Sequence, residues 1–142
     1  MPGVGGASRP VLSFYKGRST TIWWREGAWL AQRPEVDGSR TGVIGYSMGG
    51  WQVFPLAAAV PTERRGYDPV APHLYGAGIR QPFLIQLGRE DEMVTAQGGE
   101  QLCGLLASPA KPLRWYDGGH SLPVAYVPDA VAWLEEYLGT AD

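Results

Sequence analysis

The sequence predicts an α/β fold, with helices packed around a reduced, mostly parallel sheet of about four strands. Three observations carry this. Short apolar or β-branched runs alternate along the 142 residues with longer segments of helical period. The run PFLIQL (Pro82–Leu87) is almost wholly apolar, as a strand covered on both faces requires. The 20 glycines and 12 prolines supply the turns that many short elements need.

The elements follow in order. Pro10–Tyr15 (PVLSFY) reads as a short strand closed by Lys16-Gly17. Ser19 or Thr20 can cap a helix running to about Gln32, with Ile22, Trp23, Trp29 and Leu30 on its apolar side, and Pro34 stops it. Glu35 to Arg40 is a polar turn. Thr41–Tyr46 is a buried strand, and Gly49–Ala59 the helix behind it, ended by Pro61. Thr62–Arg80 carries prolines, glycines and charge without a β pattern. After the strand at 82–87 come a loop over Gly88–Val94 and a helix over Thr95–Ala107, with Leu102, Leu105 and Leu106 on one side. Leu113–Tyr116 is the next strand. The last helix, Val127–Leu138, places Val127, Ala130, Val131, Leu134, Tyr137 and Leu138 at helical spacing.

Composition bounds the class. A chain of this length, with 44% hydrophobic residues, is expected to form one domain over 1–142 with no cap domain. A formal net charge of -2 gives no basic surface to hold a nucleic acid. No apolar run is long enough to span a bilayer, and the N-terminus has no cationic flank before an apolar stretch, so the expected location is cytoplasmic. Cys103 is the lone cysteine, and His73 and His120 are the two histidines, a poor set for zinc; no metal and no organic cofactor is expected.

The chemistry is carried by GVIGYSMGGW (Gly42–Trp51). A serine hydroxyl attacks only if a turn projects it, a base takes its proton and donors hold the resulting oxyanion. In Gly45-Tyr46-Ser47-Met48-Gly49 the small residues sit two positions either side of Ser47, where a sharp strand-to-helix turn brings backbone and side chains together. The apolar strand before it and the apolar helix after it are the setting that turn needs. A base must be one of two histidines. His73 lies in the irregular stretch, which suits a surface role. His120 follows a strand and the pair Gly118-Gly119, at a sheet edge where sites are built. Asp91, in GREDEMV, is the candidate to orient the imidazole, and Glu90, Glu92 and Asp117 compete with it.

The segments RPEVDGSRTGVIGYSMGG (Arg33–Gly50), LGREDEMV (Leu87–Val94) and YDGGHSLP (Tyr116–Pro123) together resemble the α/β-hydrolase superfamily. They are most similar to its dienelactone-hydrolase-like and small-esterase branches. The order Ser47, Asp91, His120 is the one that fold uses, and it excludes His73 as base. The resemblance implies Ser47 as nucleophile, His120 as general base and acid, and Asp91 as its partner. Dienelactone hydrolases proper carry a cysteine nucleophile, so serine at 47 implies an ordinary carboxylesterase acting on short acyl or aryl esters through an acyl-enzyme.

The chain also departs from the pattern. Only one strand precedes the elbow strand, and none is legible between elbow and acid, which implies a minimal form of the fold. The backbone N–H of Met48 is then one oxyanion donor, and the loop at Tyr15 and Lys16 is the expected source of another. Lost strands expose apolar faces, and Trp23, Trp24, Trp29 and Trp51 are many for so small a core. A homo-oligomer, dimer or tetramer, is therefore expected. The alternatives are a non-catalytic binder or self-associating protein on the same fold, and an acyltransferase, thioesterase or lactonase using the same three residues.

Overall fold

A computed structural model describes the chain over residues 11–13, 20–58 and 72–139. Four strands and four helices alternate in it: β1 (Val11–Ser13), α1 (Thr20–Ala31), β2 (Gly42–Ile44), α2 (Met48–Ala57), β3 (Ile85–Gly88), α3 (Ala96–Leu105), β4 (Leu113–Tyr116) and α4 (Tyr126–Leu138). The α/β class stands, and each element falls on a segment where the sequence places one.

All the pairing is parallel. β1 runs beside β2 with Val11 opposite Gly42 and Ser13 opposite Ile44. β3 runs beside β4 with Ile85 opposite Leu113 and Gly88 opposite Tyr116. The expectation of a single reduced sheet is modified here, because among the described residues the four strands form two separate two-stranded ladders. The chain that precedes β3 is Pro72–Leu74 and Gly76–Gly78, two turns of 3₁₀ helix rather than a strand. Proline without an N–H and glycine without a side chain are poor ladder residues, which agrees with the missing β pattern there.

Alternation across β3 and β4 sets the layers. Ile85, Leu87 and Leu113 turn to the side packed by α3, where they meet Leu102 and Cys103 in the core. Gln86 and Tyr116 turn to the opposite side, where the Gln86 amide donates to the Tyr126 carbonyl at 2.9 Å and the Tyr116 hydroxyl donates to Asp129 of α4 at 2.5 Å. The β3–β4 ladder is thus covered on both faces, as its apolar sequence requires. The core itself is Phe54, Tyr75, Ile79, Phe83, Ile85 and Leu106. It joins α2, the 3₁₀ stretch, β3 and the end of α3, with the Phe54 and Phe83 rings tilted 56° at 4.9 Å.

Local signals explain the boundaries. Thr95 caps α3, its hydroxyl accepting from the Gly98 N–H at 3.2 Å. α2 runs through Pro55, which falls in its last turn and forfeits a single backbone bond. Two apolar assignments are corrected. Trp29 does not lie on the buried side of α1: it is 58% exposed and its ring carries the Arg33 guanidinium 5.0 Å from the centroid, a cation–π contact that tolerates water. On α4, Leu134 and Leu138 meet β2 at Gly42 while Val127, Val131 and Tyr137 stay exposed, so the helix buries a narrower stripe than its period suggests.

Candidate functional site

β2 ends at Ile44, and two residues later the chain turns sharply into α2. Ser47 sits at that turn with φ 53° and ψ -121°, the one non-glycine residue at positive φ among the described residues. Such backbone is strained for an L-residue and persists only where the surroundings hold it. Here the Gly49 N–H bonds the Tyr46 carbonyl at 2.8 Å, and the Trp51 N–H bonds that of Ser47 at 3.2 Å. A Cβ on Gly45 would collide with the carbonyl of Gly49, so the turn admits nothing larger at that position. Strand, strained turn and helix together push the Ser47 hydroxyl away from the backbone.

The other groups arrive from the ends of β3 and β4. Directly after β3, the Arg89 and Glu90 N–H groups donate to the carbonyls of Tyr116 and Gly118, each at 2.9 Å. These bonds stitch the loop after β3 to the loop after β4. Gly88 allows the approach, since a side chain there would strike the Gly118 and Gly119 carbonyls. Asp91 and His120 consequently face each other across the carboxyl ends of two neighbouring parallel strands, where open α/β sheets build their sites.

The geometry is compact. His120 Nε2 lies 2.9 Å from Ser47 Oγ, and His120 Nδ1 lies 2.9 Å from Asp91 Oδ2. Asp91 is 8% exposed, and its other oxygen accepts from the N–H groups of Met93 at 2.8 Å and Val94 at 3.0 Å. Burial pushes the Asp91 carboxyl up. The hydrogen bonds from His120, Val94 and Met93 outweigh it, and the carboxyl is held below its ordinary value of 3.8. A depressed folded value means stability that is present above pH 3.8 and lost as pH falls through the lower folded value. Urea unfolding at about pH 5 and about pH 3 should therefore show a loss of stability in acid that is smaller in Asp91→Asn.

The structure brings Ser47, His120 and Asp91 together and leaves their competitors outside. His73 is exposed on the Pro72–Leu74 turn. Glu90 and Glu92 are exposed, and Asp117 is a solvent-facing partner of Arg89 at 3.4 Å. Met48 opens α2, where a backbone N–H has no acceptor within its own helix. Tyr15 and Lys16 lie outside the described residues. Tyr46 is one contact that sequence reasoning passed over: its hydroxyl donates to the His120 carbonyl at 3.2 Å and its ring stands 5.7 Å from the imidazole. The available signal was an aromatic residue directly before the serine. Among the described residues no cluster of three or more His, Cys, Asp or Glu is placed to hold a metal, and no helix is long and apolar enough to cross a membrane.

Comparison with known proteins decides the family. The sequence profile of the dienelactone hydrolase family matches residues 18–126, from before α1 to the first residue of α4. The chain belongs to the dienelactone hydrolase family. Among its relatives, the carboxymethylenebutenolidase of Pseudomonas sp. strain P51 is 31% identical over 113 residues, 72% of this chain and 44% of that protein. That of Pseudomonas putida is 28% identical over 122 residues, covering 75% and 49%. The chain thus spans about half the length of the curated relatives it matches. Solved structures show the same fold. A cold-adapted esterase from an Arctic intertidal metagenomic library superposes with a TM-score of 0.67 at 22% identity, covering 84% of this chain and 57% of that one. Acetyl xylan esterase 1 from Thermoanaerobacterium sp. JW/SL YS485 gives 0.68 at 18%, covering 83% and 52%.

Proposed function

We propose that this member of the dienelactone hydrolase family is a serine hydrolase of small carboxylic esters that works through an acyl-enzyme. The observation that carries the reading is the unbroken chain Ser47 Oγ to His120 to Asp91, with both links at 2.9 Å. His120 Nε2 takes the Ser47 proton as Oγ attacks the ester carbonyl. Asp91, accepting from Nδ1–H, keeps the free lone pair on Nε2 and stabilises the imidazolium that forms. The tetrahedral oxyanion is met by the N–H of Met48, with Tyr15 and Lys16, which follow β1 in sequence, proposed for the second donor; losing one such donor costs about 3 kcal/mol. His120 then protonates the departing alcohol, and water, deprotonated by the same nitrogen, releases the acid.

The residues flanking Ser47 bear on the substrate. Tyr46 is 59% and Met48 44% exposed, which favours an open site for short acyl groups and aryl alcohols over long chains. Membership of the family favours a second substrate class for the same acyl-enzyme, a strained lactone, in which the leaving alcohol stays tethered to the acyl group. Exposed Trp29 and the exposed valines of α4 fit a homo-oligomer, readable by light scattering on the purified protein.

The test is pre-steady-state hydrolysis of p-nitrophenyl acetate by the wild-type protein and by His120→Ala, since the serine attacks only when a base takes its proton. The expected result is a burst of p-nitrophenol matching the enzyme concentration in the wild type and none in His120→Ala. A wild-type protein without a burst removes the reading.

A further inference from the structure

Tyr46 stands beside the reactive serine, yet none of the steps above uses it. Its hydroxyl donates to the backbone carbonyl of His120 at 3.2 Å, across 74 positions of sequence. Its ring lies 5.7 Å from the imidazole, tilted by 41°. The side chain therefore reaches from the elbow to the loop that carries the base and touches that residue at both backbone and ring.

The loop explains why such a tether matters. Its stems are fixed: Tyr116, the last residue of β4, bonds Asp129 at 2.5 Å and receives the Gln86 amide at 2.8 Å, while the Tyr126 N–H bonds Pro123 at 3.1 Å. Its apex is not so well provided. His120 follows Gly118 and Gly119, two residues with the widest backbone freedom and no side chains to pack. Gly118 is held through its carbonyl by Glu90. The next carbonyl with a bond of its own is that of His120, and its donor is Tyr46. A displacement of about 1 Å at the imidazole is enough to weaken proton transfer severely, so an anchor at this point acts directly on the reacting geometry.

We propose that Tyr46 is a positioning residue that holds His120 over Ser47. This deepens the esterase reading and rests on it: the hydroxyl fixes the His120 backbone, and the ring limits how far the imidazole can swing toward solvent. Tyr46 acts on the proton transfer through the base and takes no proton itself.

Tyr46→Phe removes the hydroxyl and keeps the ring; Tyr46→Leu removes both. On p-nitrophenyl acetate, Tyr46→Phe is expected to lower kcat about fivefold, the population factor one ordinary hydrogen bond supplies, with KM and the melting temperature unchanged. Tyr46→Leu is expected to fall further, so that phenylalanine rescues part of what leucine loses. A purely structural role would instead lower the melting temperature and leave kcat per folded molecule intact. NMR of the imidazole reads the same geometry without turnover: ring signals are expected to shift and broaden in Tyr46→Phe. Unchanged kcat together with unchanged His120 signals in Tyr46→Phe overturns the proposal. A wild-type protein without esterase activity overturns the esterase reading instead, and the NMR comparison still decides the placement of His120.

Discussion

Ser47→Ala is expected to lower kcat on p-nitrophenyl acetate by on the order of 10⁴ or more, leaving only the slow reaction of a labile ester in a binding site. The hydroxyl oxygen is the single heavy atom that distinguishes the two proteins, and it lies 2.9 Å from His120 Nε2. Alanine keeps the Cβ and hence the strained turn at φ 53°, so stability should hardly change. Glycine offers a sharper control. Ser47→Gly is equally inactive in this scheme, yet it relieves an unfavourable backbone conformation and should raise stability by about 1 kcal/mol. Urea melts beside the kinetics would then show activity lost while the fold is strengthened, a combination that unfolding cannot mimic.

Asp91→Asn is expected to cost on the order of a thousandfold in kcat or more, for a reason visible in the hydrogen bonds. Oδ1 of Asp91 accepts two backbone N–H groups, from Met93 and Val94. In asparagine only the carbonyl oxygen can fill that place, which turns the NH₂ toward His120. Nδ1 must then accept, the ring proton moves to Nε2, and the nitrogen facing Ser47 can no longer take a proton. Glu90→Gln and Glu92→Gln, one residue to either side, face solvent and should retain nearly full activity. Equal losses at all three positions would mean that net charge, rather than tautomer control, is what matters.

The sequence reads well where a local rule acts alone. Gly45 and Gly49 around Ser47 announce a turn, a side chain at Gly45 would strike the Gly49 carbonyl, and the structure places the strained residue at that serine. The limits of β4 follow from its apolar run. The helix the sequence places over Thr95–Ala107 begins one residue later, because Thr95 is its cap. Which of four carboxylates turns inward does not follow, since GREDEMV offers three acids in a row and composition treats them alike. What selects Asp91 is the loop folding its N–H groups onto one carboxylate and His120 onto the other oxygen. The contact of Tyr46 is not legible either, because its partner lies 74 residues away and a contact of that range leaves no local trace. Trp29 is not core because the Arg33 guanidinium, one turn on, stacks over its ring and gives it a place at the surface. The arrangement of the strands as two ladders was illegible for a related reason: alternation shows which faces are buried, and pairing partners are set by the tertiary fold.

The central claim is that this chain activates an alcohol. Intact-mass spectrometry after exposure to a fluorophosphonate probe tests it most directly, because phosphonylation requires an activated nucleophile and no knowledge of the substrate. One adduct per chain, mapped to Ser47 and absent from Ser47→Ala, is the expected result. A folded protein that stays unmodified, or is modified elsewhere, contradicts it.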